Sequence, residues 1–210
     1  MNYIGNDIIS LKSMQNLQSF SNPKYITKVL NNSETKLADG INLTLLTSLC
    51  WTIKESAYKV LGKTGNKIAF VPQMFNVNII DIQHFVKAGN AGSEIIFIPE
   101  IKVTAYGLNF YSFSETTKEY IHSVSSMKKN DQMNIYRNVR EIKNKSNESI
   151  EAVSFLLEAI ANETGTCPDE LALMKNERNI PVLMQKGLPL NIDVSLSHDE
   201  NYVSYAFRVK

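Results

Sequence analysis

The sequence predicts an α+β protein of two similar lobes, each with helices packed on a small antiparallel sheet. Three observations carry this. One long helical period spans the region from Leu43 to Leu61. A second helical period covers Ser149 to Glu163. Each is followed by short runs of apolar–polar alternation broken at turn residues, which is the mark of half-buried strands. No internal repeat is legible by letter, yet both halves run from helices into strands. A length of 210 residues suits one large domain or two small lobes. The charge-dense stretch around Lys129 sets the boundary, giving lobes 1–128 and 129–210.

Taken in order, Asn2 to Ile9 reads as a strand interrupted by Gly5-Asn6-Asp7. That triplet is either a plain turn or bulge, or a carboxylate presented where glycine lets another group approach. Short helical segments follow from Ser10 to Asn32, with Pro23 as a helix start. Ser33-Glu34 and Asp39-Gly40 bracket a loop or short helix, and Asn42 is placed to cap the long helix. At about 100° per residue, Leu46, Leu49, Cys50, Ile53, Ala57, Val60 and Leu61 share one face. Trp51, Glu55, Tyr58 and Lys59 fall opposite, with Lys54 at the edge, and Gly62 reads as the left-handed stop. Taken alone, Glu55 and Lys59 are an ordinary i,i+4 surface pair adding ~0.2–0.5 kcal/mol.

Strands are expected at Ile68–Val71, Phe75–Ile79, Glu94–Ile98 and Ile101–Tyr106, with turns at Gly89, Gly92 and Gly107. Glu115 to Asn147 is low in hydrophobic residues and reads as a solvated helix face or linker, in preference to a basic docking surface. Gly165 ends the second helix and Pro168 restarts the chain. Leu171–Met174 and Pro181–Met184 read as a strand pair. Asp193–Leu196 and Tyr202–Val209 form another, joined through Ser197 to Asn201.

Composition excludes several classes. A net charge of +1 gives no reason to expect a nucleic-acid partner. No apolar run reaches the ~18–20 residues that span a bilayer. Met1 to Asp7 turns polar by its sixth residue and does not read as a signal peptide. Cys50 and Cys167 form no CxxC and no zinc spacing, and Cys50 lies on the apolar helix face as a buried thiol. The expected location is therefore the cytoplasm.

Three segments together resemble the motifs of the 4′-phosphopantetheinyl transferases: Gly5-x-Asp7, Trp51-x-x-Lys54-Glu55-Ser56-x-x-Lys59, and Ser195-x-Ser197-His198. Lys28-Val29-Leu30 and Glu34 are similar to the family's connecting segment. The order resembles that of the short holo-acyl-carrier-protein synthases, which act as trimers. Ser149 to His198 is similar to the first lobe of the long, two-lobed members. The resemblance thus implies the two lobes of the long type in exchanged order, related by a pseudo-twofold in a monomer, with the site at their interface.

It also implies a Mg²⁺-dependent transfer of the 4′-phosphopantetheine arm of coenzyme A to a serine of an apo acyl or peptidyl carrier protein, releasing 3′,5′-ADP. The carrier would serve fatty-acid, polyketide or nonribosomal-peptide synthesis. On this resemblance Asp7 and Glu55 hold the metal, and Glu55 and Lys59 are catalytic. Lys54, Lys59, Ser197 and His198 meet the coenzyme A phosphates. Two positions depart from the pattern. Long-type members carry a third acid where Ile9 stands, and a Gly-Lys-Pro where Asn179-Ile180-Pro181 stands, with Lys175 or Arg178 as substitutes for the lysine. Both departures favour an alternative: a non-catalytic protein that binds coenzyme A or a carrier on the same scaffold.

Overall fold

The computed structural model of the protein describes residues 3–38, 41–65, 68–80, 95–129, 131–143 and 145–209. The chain opens with strand β1 (Ile4–Ser10), followed by helices α1 (Met14–Ser21), α2 (Pro23–Val29) and α3 (Asn32–Thr35). Each helix starts on a side-chain cap: Ser13, Asn22 and Asn31 accept from backbone N–H groups of the first turn. Helix α4 (Leu43–Lys63) is capped by Asn42. All seven residues of its expected apolar face are fully buried.

The helix does not stop at Gly62. It continues to Lys63, Thr64 is the C-cap, and Gly65 takes the positive φ of 98°.

Strands β2 (Asn76–Ile79), β3 (Ile95–Ala105), β4 (Leu108–Thr117) and β5 (Tyr120–Ser126) join β1 in an antiparallel sheet of order β1-β5-β4-β3-β2. Helix α4 covers one face of it. Gly107 makes its turn as expected, with positive φ shared by Tyr106 and Gly107, the geometry of a tight hairpin. The strands read as Glu94–Ile98 and Ile101–Tyr106 are one strand with a register shift between Ile98 and Ile101. The turns expected at Gly89 and Gly92, the start at Glu94, and Asn2, Asp39 and Gly40 lie outside the described residues.

Ile68 to Val71 is not a strand. Phe70 packs its ring on Trp51 and Tyr58, and the Tyr58 hydroxyl donates to Ile68 O over 3.0 Å, so this segment is spent covering α4.

The stretch read as a linker is largely sheet. It contains the end of β4, all of β5 and strand β6 (Tyr136–Glu141). After it come helix α5 (Glu148–Thr164), then β7 (Leu171–Lys175), β8 (Pro181–Gln185), β9 (Leu188–Pro189), β10 (Ile192–Asp199) and β11 (Tyr202–Val209). Gly165 ends α5 at φ 68° as expected. Strands β10, β11 and β6 form one three-stranded sheet, and β7, β8 and β9 another. Strand β10 runs through Ser197 and His198 to Asp199, so these lie on a strand rather than in the turn.

Strands β1 and β10 meet side by side without a backbone ladder. The N–H groups of Ile4, Asn6, Ile8 and Ser10 donate instead to the side chains of Asp193, Ser195, Ser197 and Asp199, at 2.6, 2.9, 3.2 and 2.7 Å. The sequence offset is constant, so this is a parallel ladder built from side chains. It satisfies the N–H edge of β1, which would otherwise be buried unpaired. Lys63 locks the same junction, donating to Ile4 O, Val194 O and Asp193 Oδ1. Among the described residues no helix is long and apolar enough to cross a membrane.

Candidate functional site

The site forms where β1, α4 and β10 converge, and its tightness starts at Gly5. A Cβ added there would lie 2.2 Å from Ser56 O and 3.0 Å from the Lys59 Cβ. Only glycine lets β1 come this close to α4. The approach carries Asp7, two residues on, up to the polar face of the helix.

Asp7 is buried, 4% exposed. Its Oδ1 accepts from Lys59 Nζ at 3.0 Å and from Ser197 Oγ at 2.9 Å. Both bonds use one oxygen and leave Oδ2 outside them. Lys59 also donates to Asn6 O at 2.8 Å and stands 3.9 Å from Glu55 Oε1. The ammonium therefore sits between the two carboxylates.

Asp7, Glu55, His198 and Asp199 line one cavity of about 240 Å³. Burial pushes the Glu55 carboxyl up to about 7, and the negative charge of Asp7 adds to the rise. Lys59 and a hydrogen bond with Trp51 pull the other way, and Asp199 contributes a smaller upward push.

His198 is exposed on the rim. Its Nδ1 is 2.8 Å from Glu148 Oε2 and its Nε2 is 3.3 Å from Ser149 Oγ. It also lines a second, adjoining cavity of about 460 Å³, whose basic groups include Lys59, Lys175 and Arg178.

So Asp7, Glu55, Lys59, Ser197 and His198 are brought together. Lys54 is not. It is fully buried, and its Nζ donates to Glu34 Oε2 at 2.6 Å and Val29 O at 2.7 Å. The expectation that Lys54 meets coenzyme A phosphates is corrected by this position. Glu34, matched by sequence only to a connecting segment, is its counter-ion. Glu34 also accepts from Val77 N and caps α3, so the pair pins α3, α4 and β2 together.

Asp199 was missed by sequence reasoning. Its Oδ2 is held by Ser10 N at 2.7 Å and Asn16 Nδ2 at 2.6 Å, and burial raises its carboxyl above the usual range. Its adjacency to the Ser-x-Ser-His segment was the available signal. Ile9 lines the cavity from β1 with no ligand atom.

Two carboxylates around a small polar cavity suit a hard divalent ion, which takes oxygen ligands and leaves other positions to phosphate and water. Among the described residues no three acidic, histidine or cysteine side chains are arranged to hold a metal by themselves.

Residues 3–124 match the family model of the 4′-phosphopantetheinyl transferase superfamily. The match covers more than half of the chain and includes Asp7, Glu55 and Lys59, and the chain belongs to that superfamily. No curated protein matches the chain.

Proposed function

We propose that this protein transfers the 4′-phosphopantetheine arm of coenzyme A to a serine hydroxyl of an apo acyl or peptidyl carrier protein, in a Mg²⁺-dependent reaction. The observation that carries the reading is the convergence of Asp7, Glu55 and Lys59 within a superfamily of such transferases. Asp7 and Glu55 would hold the ion, with phosphate and water completing its shell. When bound, the ion would neutralise and orient the pyrophosphate of coenzyme A.

The chain's own groups do the rest. Glu55 takes the proton of the carrier serine. The serine oxygen attacks the β-phosphorus, a new P–O bond forms, and the bond to the departing 3′,5′-ADP breaks. Lys59 stabilises the charge that grows on the departing phosphate. Ser197 holds the Asp7 carboxylate in place. His198, between the two cavities, contacts a coenzyme A phosphate, and Lys175 and Arg178 supply positive charge farther along the basic cavity. Two cavities joined at His198 suit a long ligand with its pyrophosphate at the junction.

The alternative reading is a non-catalytic coenzyme A or carrier-binding protein, favoured by Ile9 in the acidic cavity. Carrier-dependent release of 3′,5′-ADP from coenzyme A separates them. Release that needs both the apo carrier and Mg²⁺ is expected. Coenzyme A binding with no release across a panel of carriers would establish the binding protein instead.

A further inference from the structure

A further cavity of about 700 Å³ lies apart from the two described above. It opens between β6, α5 and the β4–β5 hairpin. Its position follows from a register repeat between the two main sheets. In the first sheet Ser114 faces Ser123, which faces Asp7 on β1. In the second, Ser197 faces Ser204, which faces Val139 on β6. Ser112-x-Ser114-Glu115 on β4 thus corresponds to Ser195-x-Ser197-His198 on β10. The helices follow suit: Tyr58, Lys59, Gly62 and Lys63 of α4 line the basic cavity, while Glu158, Ala159, Asn162 and Glu163 of α5, at the same spacing, line the larger one.

This correspondence says what the second cavity lacks and what it has gained. Asp7 is replaced by Val139, Glu55 by Phe155, Lys59 by Ala159 and His198 by Glu115. The carboxylates suited to a cation are gone. Gly5 corresponds to Arg137, since each faces the strand position paired with the first serine of its motif.

Arg137 is half-buried. Among the described residues it is within ion-pair distance of no carboxylate. It lies over the Phe113 ring at 4.4 Å and the Phe97 ring at 5.5 Å. Two aromatic rings lie within cation–π distance of a guanidinium whose N–H groups form a rigid fork. Arg140 is nearby but already committed, to Glu158 at 2.8 Å and to the Phe155 ring at 4.0 Å. Glu115 is the opposing charge; its Oε1 is held by the Tyr120 hydroxyl at 2.6 Å. His122, buried and facing Glu115 across the strands, is held neutral by burial, well below the usual histidine range.

We propose that this cavity binds a small anion, a phosphate or a carboxylate, through the Arg137 fork, as a non-catalytic counterpart of the Asp7–Glu55 cleft. A half-buried guanidinium is partly desolvated, so an oxyanion recovers charge-assisted bonds that water no longer fully supplies. Glu115 weakens the site without filling it.

The test is a titration of ¹⁵N-labelled protein with sodium phosphate and, separately, sodium acetate at constant ionic strength, following arginine Nε–Hε signals by NMR. The Arg137 signal is identified by its loss in Arg137→Lys, which keeps a cation over Phe113. In the wild type it is expected to shift and saturate with at least one of the two anions. Glu115→Gln, which removes the opposing charge and keeps an acceptor for Tyr120, is expected to tighten the apparent Kd by about threefold or more. An Arg137 signal that stays put in both proteins, or drifts without saturating, overturns the proposal. So does saturation with a Kd that Glu115→Gln leaves unchanged or weakens.

Discussion

Ser197 donates its hydroxyl hydrogen to Asp7 Oδ1 over 2.9 Å, joining residues 190 positions apart. The same Ser197 oxygen accepts from Ile8 N. One side chain from the end of the chain thus fixes both the backbone and the carboxylate of the N-terminal motif. Replacing Ser197 with alanine strips a buried N–H and a buried carboxylate of a partner. A loss of about 1–3 kcal/mol in urea unfolding is expected. The transfer rate is expected to fall with it, because Asp7 is then held by Lys59 alone.

Gly5 sets how closely β1 approaches α4. A Gly5→Ala methyl group would meet Ser56 O, which is backbone and cannot swing aside. The strand must back away from the helix, and overpacking of this kind costs about 1–3 kcal/mol. A lowered urea midpoint with an unchanged m-value is expected. An unaltered midpoint would mean that the close approach is not strained by a Cβ.

Lys54 and Glu34 form a fully buried ion pair. Removing one partner leaves a charge without compensation, which typically costs about 3–5 kcal/mol. Lys54→Met is therefore expected to destabilise strongly, and adding Glu34→Gln, which removes the charge and keeps an acceptor for Val77 N, to recover part of the loss. The KM for coenzyme A in the folded double variant is expected to stay near wild type. A large rise in KM would restore a phosphate-binding role to Lys54.

Glu55 makes the stability of the metal-free protein depend on pH. Its folded carboxyl is raised to about 7 from 4.5, so the folded state holds its proton more tightly than the unfolded chain does. That contribution is full below 4.5 and is lost as pH rises through 7. The stability difference between wild type and Glu55→Gln, followed by thermal unfolding from pH 4.5 to 8, is expected to swing against the wild type across this window. Asp7→Asn is expected to lower the Glu55 titration midpoint, seen by ¹³C NMR of its carboxyl, more than Asp199→Asn does. A midpoint near 4.5 in the wild type would contradict the buried, charge-crowded environment.

Much of the fold and the site was legible because periodicity and motif spacing report local geometry. The apolar face of α4, the end of α5 at Gly165 and the burial of Cys50 all follow from residues near one another in sequence. What failed depended on partners far away. Strand β5 looked like a linker because the stretch from Glu115 to Asn147 is low in hydrophobic residues. In the fold, Ser123 and Ser125 bond in the interior to Ser114, Ser112, Thr52 and Ser56. Lys54 looked like a group at the helix edge, yet Glu34 draws it inside. Ile68 to Val71 alternates like a strand but spends its aromatic ring on Trp51 and Tyr58. Asp199 escaped notice because only the side-chain ladder between β1 and β10 places it beside the other acids.

The most direct measurement is the intact mass of apo carrier proteins incubated with this protein, coenzyme A and Mg²⁺. The account predicts that at least one carrier gains the mass of a single phosphopantetheine arm. It also predicts that Glu55→Gln and Asp7→Asn, each shown to be folded, remove that gain. A carrier modified at the wild-type rate by both variants would contradict the site assigned here, and carriers unchanged in mass with the wild-type protein would contradict the transferase itself.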